Sequence, residues 1–475
     1  MKNRFFKNIL LLSSVFLLTA TSSCTNLLED ESKDALVIDE ATLSDINNLD
    51  RVLLNSYQTM PVGSDAFIQS MMTDEVRIAP SNNGSGVFLW SRAITSQDSN
   101  IQALWNSLYR TIFTANKVLD NIDKVTNDGA NGLSKNQIKA EALGMRAFGH
   151  FLVLKDFSPK YNPTALGCAY VTTGAIENLY DIPARDNMQV SYQKVLADLD
   201  AAIALNPSNT LNKRMSLSAL RALKALVYLE IGDYANSVTF ATQSLTGKSL
   251  KTTAADIANL WIDPISGAGS NSSAVDGSEV IFQQINIAGS VNTTMGGNYR
   301  SPSLGFFWYV ANTSFSKYAS TDFRVNSYFK TSSGNLIHYK YYGPSATPGV
   351  ANIKIIRTAE MMLVRAEARA KSGDLAGAFT DYAAVRTARN AGASVAFTSL
   401  QDAVDKILDE KARECILEGK RLTDLKRNNK TVVRLSSDAT TAYPNTSFPD
   451  VQKMTLPIPY SEIFANPNMV QNPSW

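Results

Sequence analysis

Residues 216–245 read Ser-Leu-Ser-Ala-Leu-Arg-Ala-Leu-Lys-Ala-Leu-Val-Tyr-Leu-Glu-Ile-Gly-Asp-Tyr-Ala-Asn-Ser-Val-Thr-Phe-Ala-Thr-Gln-Ser-Leu. Two amphipathic runs meet at Gly232-Asp233, with small Ala225 and aromatic Tyr228 ahead of the turn, which is the spacing of a tetratricopeptide-like helical hairpin. A second copy occupies 358–389, with Ala366 before Gly373-Asp374 and Ala378 and Tyr382 after it. The two Gly-Asp turns are not separated by a whole number of ~34-residue repeats, so the array must be interrupted. Upstream, Trp105, Leu108, Ile112, Ala115, Leu119 and Ile122 step by three and four and predict a helix within 101–125. Ser134 precedes a second stripe, Ile138, Ala142, Met145, Gly149 and Leu152, which ends before Ser158-Pro159; these two helices should pair. A third run, 192–205, stops at Asn206-Pro207. The chain therefore reads as mainly α, a tetratricopeptide-like helical-hairpin scaffold with repeats at about 100–245 and 358–427. Between them, about 246–357, lies an inserted irregular, partly β, loop-rich region.

That insert lacks helical periodicity and is rich in Ser, Gly, Asn and Thr over 265–303, with strand-like pieces at 279–285 and 336–342. It also carries Tyr299, Phe306, Phe307, Trp308, Tyr309, Phe315 and Tyr318. Irregular segments on a rigid frame are where binding sites gather. A second polar loop, 74–90, holds Arg77, Asn82, Asn83, Phe88 and Trp90. A sugar ring presents an apolar C–H face that stacks on an aromatic and a rim of hydroxyls that needs amide or guanidinium partners. The ligand-binding candidates are accordingly Arg77, Asn82, Asn83, Trp90, Tyr299, Trp308 and Tyr309. Trp90 reads equally as a core plug. Neighbouring residues on a strand alternate faces, so 306–309 cannot all be exposed; Trp308 and Tyr299 are the two expected at the surface.

At 475 residues, with 44% hydrophobic and 19% charged residues, the chain has enough apolar content for a large core. Lys+Arg 45 against Asp+Glu 43 leaves a net charge of +2, which gives no electrostatic footprint for nucleic acid. Only His150 and His338 are present, so a three-histidine zinc site is excluded. There is no Cys-x-x-Cys pair, phosphate-binding lysine loop, dinucleotide fingerprint or calcium loop, and neither a metal nor a cofactor is expected. Glu414, Glu418, Arg421, Asp424 and Arg427 fall at helical steps and read as an ion-pair ladder pinning helices rather than a catalytic carboxylate pair; Glu360, Arg365 and Glu367 read as scaffold.

The N-terminus addresses the chain for export. Lys2, Arg4 and Lys7 precede an apolar stretch from Ile9 to Ala20, too short to span a bilayer, and then Thr21-Ser22-Ser23-Cys24. Residues 1–23 read as a lipoprotein signal peptide, Cys24 as the acylated first mature residue, and 24–36 as an acidic flexible tether. Cys168 and Cys415, far apart in sequence, make no disulfide framework and read as buried thiols.

Four segments together resemble the SusD/RagB family of outer-membrane nutrient-binding lipoproteins of Bacteroidetes. They are the lipidated start; Leu104 to Asn116 with Ala140-Glu141-Ala142 and Arg146-Ala147-Phe148; Ile356 to Ala368; and Glu414 to Arg427 coupled to Pro457-Ile458-Pro459, Asn466-Pro467-Asn468 and the final Gln471 to Trp475. Thr423, Cys415 and Trp475 depart from residues usual in the family. The resemblance implies that 37–475 forms one SusD-like domain. It further implies a non-enzymatic surface lipoprotein that binds an oligosaccharide or oligopeptide and delivers it to a SusC-like TonB-dependent barrel transporter, acting as its lid. The outer membrane, reached through the lipid anchor and with the protein facing the exterior, would be its location. The rival readings are a surface-anchored glycan hydrolase, which needs two carboxylates ~5–10 Å apart, and an adaptor whose repeats bind only protein.

Overall fold

The computed structural model describes residues 40–174, 182–261, 279–286, 299–301, 305–341, 351–473 and 475. The signal segment, Cys24 and the tether lie outside the described residues. After one helical turn at Glu40–Leu43 come two helices that the periodicity reading did not reach, α1 (Ile46–Thr59) and α2 (Val62–Met71), followed by β1 (Val76–Ile78) and the short α3 (Val87–Trp90). The scaffold continues with α4 (Ser99–Asn121), α5 (Lys135–Phe157), α6 (Met188–Ala204), α7 (Leu217–Ile231) and α8 (Tyr234–Ser244).

Side-chain caps start α4 and α5. Asp98 accepts from the backbone N–H groups of Asn100 and Ile101, and Ser134 accepts from that of Gln137. At the 232–233 turn Gly232 takes φ 82°, a left-handed conformation that side chains resist, and Asp233 then caps α8 through the Asn236 N–H. Small Ala225 lets α8 approach closely enough for Ser237 Oγ to donate to the Ala225 carbonyl at 3.0 Å.

Residues 246–357 leave the helical frame and return to it. They contain α9 (Ala254–Asn259), β2 (Val280–Gln284), β3 (Arg300–Ser301), β4 (Gly305–Phe306), β5 (Trp308–Val310), α10 (Asn312–Phe315), α11 (Phe323–Tyr328), β6 (Phe329–Ser332), β7 (Asn335–His338) and β8 (Ile353–Arg357). The short helices among the described residues fit a region that lacks helical periodicity, because elements of four to six residues are too short to display a period. β2 and β8 pair antiparallel near the exit and re-entry of the excursion. The second repeat, α12 (Thr358–Lys371) and α13 (Leu375–Ala388), therefore packs directly on the first, α12 against α8. α14 (Leu400–Glu414) and α15 (Arg421–Arg427) follow, then the β9 (Val432–Val433) and β10 (Ser447–Phe448) pair and α16 (Tyr460–Ala465). Helices pack in succession from α4 to α8 and on through α12 to α14, so an array interrupted in sequence is continuous in space.

The insert is bolted to this array by buried charge. Glu414, at the end of α14 and fully buried, accepts from Arg357 Nη1 (2.7 Å), Arg389 Nη2 (2.9 Å) and Nε (3.0 Å), Arg324 Nη1 (2.9 Å) and the Tyr328 hydroxyl (3.2 Å). Arg357 also grips Glu418 through Nε (2.9 Å) and Nη2 (2.7 Å), Lys340 Nζ reaches Glu418 (2.6 Å), and Arg389 reaches Glu279 (2.7 Å). Burial works to raise the Glu414 carboxyl, but Arg389, Arg357 and Arg324 outweigh it and hold it well below the usual carboxylate range. Of the five residues read as a ladder only Glu414 and Glu418 belong to this network; the chain leaves the helix between Glu414 and Arg421, so the five share no single face, and Arg421 pairs instead with Asp74 and Arg427 with Glu367 and Asp424.

His150 is likewise part of the frame. The Val171 N–H donates to Nε2 at 3.0 Å, so Nδ1 carries the proton and donates to the Arg146 carbonyl at 3.0 Å. Burial pushes its pKa down to about 3 from 6.5. A depressed histidine contributes stability that is complete above pH 6.5 and is lost as pH falls toward 3. The group alone should cost about 2 kcal/mol at pH 5. Replacing it by glutamine, which does not titrate, should flatten the pH 7-to-5 dependence of the urea midpoint by that amount; an unchanged slope would contradict the assignment. Glu414→Gln removes the charge that three guanidiniums share and should lower stability by about 3–5 kcal/mol in the same assay.

Candidate functional site

Antiparallel pairing of β1 with β5 sets Val76 against Val310, Arg77 against Tyr309 and Ile78 against Trp308. The polar loop 74–90 and the aromatic run of the insert thus meet, although more than two hundred residues separate them. The alternation of β5 decides which aromatics face out: Trp308 and Val310 are buried, whereas Tyr309 is half-buried with the Arg77 guanidinium 4.9 Å from its ring centre. Arg77 also donates to Asn335 Oδ1 on β7 at 3.0 Å.

Two expectations are corrected here. Trp308 and Tyr299, taken as surface residues, are fully buried. Trp308 and Val310 share the buried face of β5 with half-buried Tyr309 between them, and Tyr299 is held edge-on between Phe67 (5.6 Å) and His338 (4.1 Å). Trp90 is the core plug of its two readings: its Nε1 donates to the Val76 carbonyl at 2.8 Å and the Arg434 guanidinium covers its ring at 3.9 Å. Asn82 is half-buried and folds the loop, accepting from the Gly84 N–H (2.7 Å) and donating to the Phe307 carbonyl (2.9 Å), while Asn83 is exposed. The loop itself holds β1 and α3, too short to register as period.

These buried side chains support an open cleft of about 260 Å³ immediately beside them. Its walls are Phe67 of α2, the 84–86 turn, Phe88 of α3 and the first turn of α4 at Asn100, with hydroxyls from Ser64 and Ser85. Gly86 is required at the turn: φ is 71°, and a Cβ there would sit 3.0 Å from Phe67 Cζ and 3.3 Å from Trp308 Cζ2. Trp308 is therefore the floor under the turn. The lining brings a largely buried ring, Phe67, and a half-buried one, Phe88, together with an amide and two hydroxyls, groups that suit a pyranose, and no carboxylate lines the cleft among the described residues. Ser64, Phe67 and Asn100 escaped the sequence reading because they sit on helices whose other residues pack in the core; Asn100 follows the α4 cap, the one local signal that marks it.

Beneath β1 lies a charged pair. Asp74 is bound by Arg421 (3.1 Å to each oxygen) and held below the usual carboxylate range, whereas burial pushes the adjacent Glu75 up to about 7. Glu75 Oε1 accepts from the Leu417 N–H at 3.2 Å, which joins the strand to the segment after α14. A second cavity, among Glu360, Lys420 and Arg427, holds only about 60 Å³, room for a few waters rather than a nutrient.

Comparison with known proteins bears on the fold. Residues 279–475 match the model of the SusD family, and residues 28–229 match a family model described as starch-binding associating with outer membrane. A SusD superfamily protein from Bacteroides thetaiotaomicron VPI-5482 superimposes with a TM-score of 0.77 at 22% identity, covering 90% of this chain and 100% of that one. A SusD superfamily protein from Bacteroides vulgatus ATCC 8482 gives 0.77 at 22% identity over 91% and 99% of the two chains. A SusD-like carbohydrate binding protein from the same strain gives 0.76 at 19% identity over 90% and 97%. No curated protein matches the chain.

Gly86→Ala meets both left-handed strain and the Phe67 ring, whereas Gly84→Ala, at φ 96° with nothing within 4 Å, meets only the strain. Urea unfolding should show Gly86→Ala costing at least about 1 kcal/mol more than Gly84→Ala; equal losses would mean that the turn does not pack on Phe67.

Proposed function

Because the chain belongs to the SusD family, we propose that it is a surface-exposed outer-membrane lipoprotein, anchored through Cys24, that binds an oligosaccharide and passes it to a SusC-like TonB-dependent barrel. The observation that carries the reading is the cleft: Phe67 and Phe88 supply apolar faces, Asn100, Ser64 and Ser85 supply hydrogen-bonding groups, and the lining offers no carboxylate. Stacking on an aromatic with amide contacts at the rim holds a sugar without activating its glycosidic bond. Hydrolysis would need a pair of carboxylates ~5–10 Å apart on either side of the bond. The carboxylates nearest the candidate strands, Asp74 and Glu75, are buried, and Asp74 is engaged by Arg421.

The family descriptions favour carbohydrate cargo, and among the described residues no helix is long and apolar enough to cross a membrane. In this reading the helical array is the rigid body of a lid, and the cleft beside the loop 74–90 is the face that meets cargo. Arg77, Asn83 and Tyr309 remain candidate contacts at the rim. Trp90, Trp308, Tyr299 and Asn82 act one layer below, setting the position of the walls.

The test is a tryptophan-fluorescence titration of the detergent-solubilised chain against oligosaccharide and oligopeptide panels, with Trp308 as the reporter beneath the cleft. One glycan class should give a saturable change without products, and Phe88→Ala should weaken it about tenfold, the ~1.4 kcal/mol of one stacking contact. Response to peptides alone would move the cargo to peptides. Cleaved glycan would establish the hydrolase, and silence with both panels while a barrel co-purifies would favour the adaptor.

A further inference from the structure

The two rings of the cleft stand on helices whose C-terminal ends share one side chain. Phe67 lies one turn before the end of α2 at Met71, and Phe88 two residues before the end of α3 at Trp90. The last carbonyls of a helix have no partner within it and, when buried, must find one outside. Arg434, a buried residue just after β9, serves both helices: Nη2 donates to the Met71 carbonyl (3.3 Å), Nε to the Thr73 carbonyl just beyond α2 (2.8 Å) and Nη1 to the Trp90 carbonyl (3.0 Å).

A planar guanidinium fixes the angles between its donors, so three carbonyls bound at once leave the two helix ends little freedom. The plane is clamped as well, with its central carbon 3.9 Å from the centre of the Trp90 ring and 4.7 Å from that of Phe448 on β10. A second guanidinium, that of Arg92, lies 5.2 Å from the same Phe448 ring and donates through Nη2 to the Met72 carbonyl (2.7 Å). Arg92 takes φ 58°, a left-handed backbone that a long side chain adopts only where its surroundings hold it. Carbonyls and ring faces match both guanidiniums, so a neutral amide in place of Arg434 strands no ion-paired carboxylate among the described residues.

We propose that Arg434 is the positioning residue of the cleft: by tying the end of α2 to the end of α3 it fixes the gap between Phe67 and Phe88, and with it the fit of a sugar ring. The inference rests on the reading of the cleft as a sugar site and adds the group that sets its width. Arg434 does not line the cleft, and neither β9 nor β10 contributes a residue to it. Contact with a ring face is sensitive to spacing, since a gap of ~0.5–1 Å forfeits a quarter to a half of the attraction. The C-terminal strand pair thus controls a surface it does not touch.

The test uses the full-length lipoprotein in detergent, unmodified and as Arg434→Gln, Phe448→Ala and Val385→Ala, with calorimetry against malto-, xylo- and manno-oligosaccharides. In parallel, each form carries 4-fluorophenylalanine at position 88 and its fluorine resonance is recorded without sugar. Arg434→Gln should weaken binding of the recognised sugar about tenfold, and Phe448→Ala, which removes only the ring between the two guanidiniums, about threefold; both should shift the resonance. Val385→Ala, in the apolar α12–α13 interface, should lower the melting temperature and leave affinity and resonance as they are, which separates position from stability. Unchanged affinity in Arg434→Gln overturns the inference, as does a loss that Val385→Ala reproduces. If Arg434→Gln does not fold, Phe448→Ala decides in the same way. If the unmodified chain binds none of the sugars, the proposed function fails on its own account and the fluorine resonance decides the inference alone: unmoved in Arg434→Gln, it overturns it.

Discussion

One buried carboxylate organises this molecule. Glu414 is reached by arginines from three separate elements, Arg324 at α11, Arg357 at the end of β8 and Arg389 just after α13, and the long excursion between the two helical repeats is thereby fixed to the frame. Burying ions is expensive, and a well-packed apolar cluster would serve stability equally well; what a buried network enforces is register, because any slip leaves a charge unpaired in a low-dielectric interior. Here the register propagates outward. Arg324 sets α11, which runs directly into the β6–β7 hairpin; β7 packs on β5 and is tied to β1 through Arg77 and Asn335; and β5 places Trp308 under Gly86. The position of the cleft therefore traces back to a salt-bridged core.

The division of labour follows from that chain of contacts. The largest aromatics of the two loops, Trp90, Trp308 and Tyr299, are consumed as struts, because a two-stranded junction with no sheet around it has few other groups with which to fill its interior. Medium-sized rings and short polar side chains on helices, Phe67, Phe88, Ser64 and Asn100, are left to face the opening. Rigid helices hold such groups more accurately than loops do, which suits a surface that must recognise ring faces.

Much of the scaffold was legible in the chain. The stripes at 101–125 and 138–152 became α4 and α5 and the Gly-Asp turns became the repeat hairpins, whereas the step-of-four charges fall on two helices and divide among separate ion pairs. α1 and α2 were missed, as was the local structure inside 74–90, where three- and four-residue elements leave no period. Of the candidate site the meeting of the two loops was legible, but none of Arg77, Asn82, Asn83, Trp90, Tyr299, Trp308 and Tyr309 lines the cleft. Aromatic content marks where a fold spends its large side chains and does not say which side of the backbone they occupy.

The sequence by itself determined the helical pairs, their turns and the interruption of the array, because each is written in contacts between residues a few positions apart. Only the tertiary structure decided that the interrupted repeats stack on each other, that Trp308 lies beneath the surface rather than on it, and that Phe67, Phe88 and Asn100 converge on one opening. Those outcomes depend on β1 meeting β5 and on Arg324, Arg357 and Arg389 meeting Glu414, pairings between segments that share no local pattern and find each other only when the core closes.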